Sequence, residues 1–171
     1  MISLGIDQSY TKIGIAIAEG SSGALGHILS SNVYDYKGLE TKCQKRKFVT
    51  RLVMYAIKKY EPEVIVVERI RTFSQGFIST AYIKTTGALI GSIVDTAHPK
   101  EVWSADTRSW KSRICGGSSG MHKGDKGVSV RYVRKRFGLE VNDDEADAIC
   151  IALYGLDFKK LIKKKLLRKE E

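Results

Sequence analysis

The sequence predicts a single α/β domain in which helices pack on one mixed sheet, and three observations support this fold class. Three β-rich runs open the chain, and the second of them alternates isoleucines with small residues. Amphipathic segments then alternate with short apolar runs, which is the pattern of helices and buried strands. The chain has 171 residues, of which 43% are hydrophobic and 28% charged, as expected of one globular domain.

The N-terminal part is predicted to form an antiparallel meander followed by a helix. A hairpin is predicted from two β-rich runs, Ile2 to Ile6 and Lys12 to Ala18. A Gly/Ser turn follows and leads to the predicted third strand, His27 to Tyr34. From Leu39 to Tyr60 the apolar residues recur at helical spacing, and Pro62 follows just beyond. We therefore expect this helix to end near Tyr60.

The rest of the chain is predicted to add parallel strands and helices. Val64 to Val67 is an unbroken apolar run that ends at Glu68, and it is typical of a central parallel strand buried on both faces. Five further elements are expected: a strand at Glu101 to Trp103, helices at Ser79 to Ala97, Val128 to Phe137 and Asp143 to Tyr154, and a mobile glycine-rich loop at Cys115 to Gly127. The folded domain is expected to span residues 1–156, followed by a basic tail at 157–171.

The charge of the chain favours a polyanionic partner. There are 29 Lys and Arg residues against 19 Asp and Glu, which gives a net charge of +10 and a pI near 9.5. Part of the excess lies in the tail from Phe158 to Glu171, whose lysines are equally typical of a solvated terminal helix. Nucleic acid is the expected partner class, and the role of the tail stays open between these two readings.

The sequence shows no sign of a membrane or secreted protein. No apolar run approaches the ~20 residues that span a bilayer, and the N-terminal residues lack the order of a signal peptide. Cys43, Cys115 and Cys150 are widely spaced and form no C-x-x-C pair. We expect an intracellular protein with no membrane association and with reduced thiols.

Acidic residues stand where the predicted elements would bring them together. Asp7 ends the first strand, and Glu68 ends the buried strand that begins at Val64. If both strands lie at the centre of the sheet, these two carboxylates lie side by side at one edge of it. Asp144 and Asp147 are three residues apart and share a helix face. Grouped carboxylates in a basic protein suit Mg²⁺, which is held by a few carboxylates together with phosphate oxygens.

Each acidic position also has a structural explanation. Asp7 could form a turn, Glu68 could pair with Arg69, and Asn142 with Glu145 fits a helix capping box. The combination favours a metal site, because clustered carboxylates without a cation would repel one another.

Three segments resemble the acidic motifs of RuvC-type Holliday-junction resolvases: Leu4 to Ser9 with Thr11 to Ala18, Val64 to Glu68, and Asp144 to Ala148. The resemblance covers roughly residues 1–156. It implies an RNase H-like fold with a five-stranded mixed sheet and a homodimer. It also implies two catalytic Mg²⁺ ions, for which Mn²⁺ could substitute, held by Asp7, Glu68, Asp144 and Asp147.

The resemblance also implies contacts to DNA. Lys126 matches a catalytic basic residue near the scissile phosphate, and Lys111 matches a lysine that contacts phosphate. Phe73 could stack on an unpaired junction base or could close the core beneath its loop. His122 lies in the glycine-rich loop without a matching pattern. The candidate DNA-binding residues are Arg69, Arg71, Phe73, Lys111, Lys123 and Lys126.

The implied function is that of a Mg²⁺-dependent endodeoxyribonuclease that resolves four-way junctions or other branched DNA by paired symmetric nicks, in recombination or repair. A catalytically silent, junction-binding architectural protein is the alternative. A fragment of an RNase H-like ATPase or sugar kinase is disfavoured by chain length and by the lack of a second phosphate-binding glycine strand. The departure at Gln8-Ser9-Tyr10 and the basic tail leave open the range of substrates and any partnership with a branch-migration motor.

A two-fold interface is predicted on the helix Ser79 to Ala97, because its small residues Gly87, Ala88 and Gly91 permit close approach of a second copy.

Overall fold

The computed structural model describes residues 1–20, 26–69, 80–97, 101–116 and 127–167, with the backbone only at residues 80–83, 85, 101 and 158–167. Most of the predicted loop between Cys115 and Gly127 therefore lies outside the described residues. No helix in the described part of the chain is both long and apolar enough to cross a membrane.

A five-stranded mixed sheet forms the centre of the molecule, with the strand order β3-β2-β1-β4-β5. The first three strands are antiparallel, whereas β1 pairs in parallel with β4 and β4 in parallel with β5. This confirms the predicted meander followed by parallel strands. The strands are β1 (Ile2–Gln8), β2 (Lys12–Glu19), β3 (His27–Asp35), β4 (Val64–Glu68) and β5 (Glu101–Ala105).

The register of the two central strands decides where the first acidic residues lie. Ile6 of β1 pairs with Val67 of β4, so the residues that follow, Asp7 and Glu68, emerge side by side at the same edge of the sheet. On its other side Asp7 pairs with Gly14 of β2. The predicted convergence of these two strand ends is therefore observed.

Helices cover both faces of the sheet and enclose one apolar core on each. On one face, α1 (Lys42–Tyr60) and α2 (Thr80–Ala97) bury side chains against isoleucines of β1 and β2. On the other face, the core is formed with α3 (Thr107–Cys115), α4 (Val128–Phe137) and α5 (Asp143–Leu167). The buried strands thus have apolar side chains on both faces, as the runs in β1 and β4 predict.

Helix α1 begins slightly later than its apolar spacing predicts. Thr41 is the N-cap: its hydroxyl oxygen accepts a hydrogen bond from the Gln44 backbone N–H at 3.1 Å, and the Gln44 side chain accepts one from the Thr41 N–H at 2.9 Å. This capping box sets the first turn at Lys42 rather than Leu39. Glu61, with φ of 48°, ends the helix just before Pro62.

Helix α3 was not predicted from the sequence. Its N-cap is Asp106, whose side chain accepts hydrogen bonds from the backbone N–H groups of Arg108 and Ser109 at 3.0 and 3.2 Å. Trp110 is its one fully buried residue. A helix this short with a single buried residue has no apolar period that a sequence pattern can reveal.

Helix α5 does not end at Tyr154, as predicted, but continues to Leu167. Gly155 lies inside it because the helix touches the sheet there: a Cβ atom added to Gly155 would stand 2.2 Å from Ser3 Oγ. The residues that follow are mostly Lys and Leu, which favour helix. The basic segment predicted as a separate tail thus begins within a helix.

Two strand glycines let the backbone of α5 approach the sheet closely. A Cβ added to Gly5 of β1 would stand 2.3 Å from Ala152 N and 2.4 Å from Ala148 O. At Gly14 of β2 it would stand 2.6 Å from Asp144 O. The backbone of α5 therefore rests directly on the backbone of β1 and β2, and this contact fixes the position of the first turns of α5.

Gly5→Ala should destabilise the protein, because the added methyl group meets helix backbone that has no space to relax. We expect the free energy of unfolding to fall by about 1–3 kcal/mol, as for other overpacked cores. Urea denaturation followed by circular dichroism measures the change. Gly38→Ala is the control, since a Cβ there meets nothing within 4 Å; an equal loss for both variants would contradict the proposed contact.

Candidate active site

Four carboxylates meet at the edge of the sheet where β1 and β4 end. Asp7 and Glu68 come from these strands, and Asp144 and Asp147 come from the first turns of α5. The charges of the other three carboxylates all act on Asp7. The structure therefore brings together the four residues that the sequence analysis grouped.

Asp7 is the member of the cluster whose ionised form is most strongly disfavoured. Burial raises the pKa of its carboxyl group well above the usual 3.8, and the charge of Glu68, together with a hydrogen bond between the two side chains, raises the pKa further. Asp147 and Asp144 add smaller effects in the same direction. Asp7 therefore keeps its proton to a higher pH than a free carboxyl group does when no cation is bound.

Glu68 is oriented by two donors from helix α3. Its Oε1 atom accepts a hydrogen bond from Thr107 Oγ1 at 2.7 Å and another from Trp110 Nε1 at 3.1 Å. Because the Trp110 ring is fully buried in the core, it holds the carboxylate in one orientation.

Asp144 and Asp147 of α5 each have a lysine partner. Lys12 Nζ of β2 lies 3.4 Å from Asp144 Oδ2, and Lys111 Nζ of α3 lies 3.3 Å from Asp147 Oδ2. The Lys111 side chain is only 16% exposed, so its charge faces the site rather than the solvent. These two ammonium groups offset part of the repulsion within the cluster.

Asp147 retains a carboxylate oxygen that no donor satisfies. Burial raises the pKa of Asp147, while the nearby Ser129 hydroxyl and Lys111 lower it. The contact with Ser129 lacks the geometry of a full hydrogen bond, and both Asp147 Oδ1 and Ser129 Oγ are buried without a partner. A buried orphan oxygen in a native site commonly marks the place of a missing ion or water.

The chemistry of these donors fits a hard divalent cation. All four are carboxylates, one has an unsatisfied oxygen, and their mutual repulsion would be relieved by a positive ion. Among the described residues, no three His, Cys, Asp or Glu side chains converge closely enough to hold one ion as they stand. Binding would therefore require the lysine-paired aspartates to turn towards the ion.

Gln8 stands where the sequence departs from the resolvase motif, and it has a structural role. Its side chain is buried on the opposite face of β1 from Asp7, where Nε2 donates hydrogen bonds to Tyr36 Oη and to the Ser9 carbonyl oxygen. The departure thus leaves the carboxylate edge unaltered.

The predicted DNA contacts fall into two groups. Arg69 is exposed next to Glu68, and its backbone N–H donates to Ala105 O at 2.7 Å. Lys111 points at Asp147 instead of outwards. The other candidates, namely Arg71, Phe73, Lys123 and Lys126, lie outside the described residues, as does His122, and their roles stay predictions.

Sequence reasoning missed four residues that support the carboxylates. Lys12, Thr107, Trp110 and Ser129 touch the cluster from β2, α3 and α4. A tryptophan soon after a strand indicates a core residue, but nothing in its spacing marks a hydrogen bond to Glu68. Only the docking of the helices reveals these contacts.

Comparison with known proteins places the chain beside junction resolvases. No family model matches it. The crossover junction endodeoxyribonuclease RuvC of Brachyspira hyodysenteriae is 25% identical over 154 residues, which is 90% of this chain and 92% of that protein.

Solved structures share the fold. RuvC of Thermus thermophilus superposes with a TM-score of 0.76 at 20% identity, covering 94% of this chain and 96% of the other. The same protein in complex with a Holliday junction substrate gives 0.77 at 18% identity, with the same coverage of both chains. The yeast mitochondrial Holliday junction resolvase Ydc2 gives 0.64 at 17% identity, covering 95% of this chain and 80% of that one. The resemblance to RuvC-type resolvases and the RNase H-like fold class are thus confirmed.

Asp7→Asn should stabilise the protein in the absence of divalent cations. The folded state raises the pKa of Asp7, so ionisation of this residue costs stability as the pH rises above 3.8. Removing the charge should raise the free energy of unfolding at pH 7 by about 0.5–2 kcal/mol. The gain should vanish at acid pH, where Asp7 is protonated in both states.

Urea denaturation in EDTA at pH 7 and pH 3.5 measures this effect. Asp143→Asn is the control, because it removes an exposed charge from the same cluster of acids in the sequence. It should lower stability by about 0.3–1 kcal/mol, since it weakens a favourable interaction with the helix dipole. A loss of stability in Asp7→Asn at pH 7 would contradict the inference that the charge of Asp7 destabilises the folded protein.

Proposed function

We propose that this protein is a divalent-metal-dependent endonuclease that cleaves Holliday junctions and related branched DNA by paired nicks. The observation that carries the proposal is the cluster of four carboxylates at one edge of a RuvC fold, in a chain of net charge +10. Cleavage of recombination or repair intermediates would place the protein in an intracellular compartment that contains DNA.

Asp7, Glu68, Asp144 and Asp147 are the proposed ligands of two Mg²⁺ ions, with Mn²⁺ as a substitute. When bound, such ions stabilise charge on the attacked phosphate and lower the pKa of the attacking water. The residues of the chain supply the remaining features. Thr107 and Trp110 hold Glu68 in one orientation, so this ligand loses little conformational freedom on binding.

The two lysines link metal binding to substrate binding. Without a cation, Lys12 and Lys111 neutralise Asp144 and Asp147. If those aspartates turned to a cation, the ammonium groups would lose these partners. They can then donate hydrogen bonds to phosphate oxygens. Lys111 thus keeps its predicted role as a phosphate contact, beside Arg69, Arg71, Phe73, Lys123 and the proposed catalytic residue Lys126.

Asp7→Asn should abolish cleavage and preserve binding. The substitution removes a proposed ligand and a charge with almost no change of shape, so we expect at least a 10³-fold loss of rate, equivalent to about 4 kcal/mol. Cleavage of a labelled four-way junction in Mg²⁺, set beside binding in EDTA, measures both properties. Glu68→Gln, Asp144→Asn and Asp147→Asn should behave alike.

Asp143→Asn is the matched control for this series, because Asp143 is exposed and adjoins Asp144. It should cleave at the wild-type rate. Full cleavage by Asp7→Asn would exclude the proposed site. Junction binding by the wild type without cleavage in Mg²⁺ or Mn²⁺ would instead support the alternative, a catalytically silent junction-binding protein.

The exposed face of α2 supports a homodimer. Leu89 and Ile93 bury one side of this helix in the core, while Gly87 and Gly91 lie on the exposed side. A Cβ added at either glycine meets nothing within 4 Å, and Val94 on the same helix is 44% exposed. A second copy could approach this face closely, and the two-fold symmetry would present two sites to two strands of a junction.

Gly91→Gln should convert the dimer into a monomer. The longer side chain occupies space that is empty in the isolated chain, so the fold should persist while the close approach is blocked. Sedimentation velocity at micromolar concentration should show the change, and junctions should receive single nicks in place of paired ones. Gly38→Gln, also with open space around it, should remain dimeric; a monomeric wild type that makes paired nicks would exclude the interface.

A further inference from the structure

Two cysteines that are far apart in the sequence meet beside the carboxylate cluster. Cys115 is the last residue of α3 and Cys150 lies within α5, and their Sγ atoms are 3.9 Å apart. Both are free thiols; Cys150 is fully buried in the core, whereas Cys115 is partly exposed. A disulfide bond joins two sulfur atoms at about 2.0 Å, so a relative movement of roughly 1.9 Å would close the gap.

The two thiols differ in reactivity. The contact with Cys150 holds the pKa of the Cys115 thiol below its usual value, while the same contact, together with burial, raises the pKa of Cys150. Cys115 also lines a groove of about 530 Å³, together with Tyr132 and Lys135 of α4. Because the thiolate is the nucleophile in thiol chemistry, Cys115 is the sulfur that reacts first and Cys150 the one that follows.

The cysteine pair lies one helical turn from a proposed metal ligand. Asp147 precedes Cys150 by three residues on α5, and Lys111 precedes Cys115 by four residues on α3, so each lies on the same helix face as its cysteine. Lys111 Nζ and Asp147 Oδ2 are 3.3 Å apart. A bond between the two cysteines would therefore join α3 to α5 directly beside the ion pair that already bridges these helices.

We propose that Cys115 and Cys150 form a redox-sensitive site, which a small-molecule disulfide converts into an intramolecular disulfide bond that weakens divalent-cation binding. The effect on the cation rests on the proposed function. In the first step, the Cys115 thiolate attacks one sulfur atom of the oxidant, which forms a mixed disulfide and releases one thiolate. Cys150 then attacks the Cys115 sulfur and displaces the second thiolate. The protein loses two electrons, and its two thiol protons pass to the two released thiols.

The disulfide bond would act on the metal site through the spacing of two helices. Helix α3 holds Glu68 through Thr107 and Trp110, whereas α5 carries Asp147. Distances in metal sites tolerate deviations of only about 0.2 Å, so an approach of α3 towards α5 by a fraction of the sulfur movement is enough to disturb them. Closer helices would also hold Asp147 on Lys111, although this aspartate must turn away to reach a cation.

The first measurement tests whether the bond forms. The full chain is used with Cys43→Ser, which removes the exposed third cysteine. After incubation with excess oxidised glutathione at pH 8, remaining thiols are alkylated and the digested protein is analysed by mass spectrometry. We expect a linked pair of peptides that contain Cys115 and Cys150. Cys115→Ser in the same background is the matched control, because a hydroxyl group of similar size cannot form this bond.

The second measurement tests what the bond does. Calorimetric titration with Mn²⁺ should show binding at least 10-fold weaker in the oxidised protein than in the reduced protein, and cleavage of a four-way junction should slow at least 10-fold. Treatment with a thiol reductant should restore both properties. Junction binding in EDTA and the circular dichroism spectrum should stay unchanged, which distinguishes a local effect from unfolding. Cys115→Ser should be insensitive to the oxidant in every one of these assays.

The outcomes separate this inference from the proposed function. Absence of the linked peptides in oxidant-treated, folded protein overturns the inference, and so does a disulfide bond that leaves Mn²⁺ binding unchanged. An equal loss of Mn²⁺ binding in oxidant-treated Cys115→Ser would show a general effect of the oxidant and would also overturn it. Reduced protein that binds neither Mn²⁺ nor junctions overturns the proposed function, whereas the peptide analysis still decides whether the two cysteines form a bond.

Discussion

The position of helix α5 on the sheet governs the rest of the site. At Gly5 and Gly14 the helix backbone touches strand backbone with no side chain between them, so the separation of the two layers is set by main-chain atoms. Close-packed interiors absorb little displacement. The distance from Asp7 on the strand to Asp144 and Asp147 on the helix is therefore determined by main-chain contacts at two glycines. The geometry of an electrostatic cluster thus depends on two positions that carry no functional group.

The fold offsets the repulsion of this cluster in three separate ways. The raised pKa of Asp7 disfavours its charged form, Lys12 and Lys111 neutralise Asp144 and Asp147, and Thr107 and Trp110 donate hydrogen bonds to Glu68. The first two of these effects would change if a cation bound, whereas the two donors to Glu68 hold that side chain in one orientation. Functional sites in natural proteins often retain mutually repelling charges because activity requires them, although this repulsion lowers the stability of the fold. The net charge of +10 would attract a polyanion to the protein in spite of this acidic cluster.

The fold and the carboxylates were predictable because their signals are local. The apolar runs of β1 and β4 identify two central strands, and the spacing of Asp144 and Asp147 places them on one helix face; together these predict the convergence that is observed. Helix α3 was missed because Trp110 is its one fully buried residue, and its contacts to Glu68 were missed with it. The end of α5 was misplaced because Gly155 contacts the sheet rather than ending the helix. Lys12 and Asp144 are far apart in sequence, so only tertiary docking brings that pair together.

The order of elements along the chain has a consequence for biosynthesis. Asp7 belongs to the first strand, whereas Asp144 and Asp147 belong to the last helix. Domains emerge from the ribosome N-terminus first, and contacts between distant residues form late because closing a long loop is costly. The antiparallel meander and α1 can fold while the later elements are still being made, but the acidic cluster needs α5 to be complete and docked. A nascent or truncated chain that lacks α5 therefore holds only two of the four carboxylates and cannot assemble the acidic cluster.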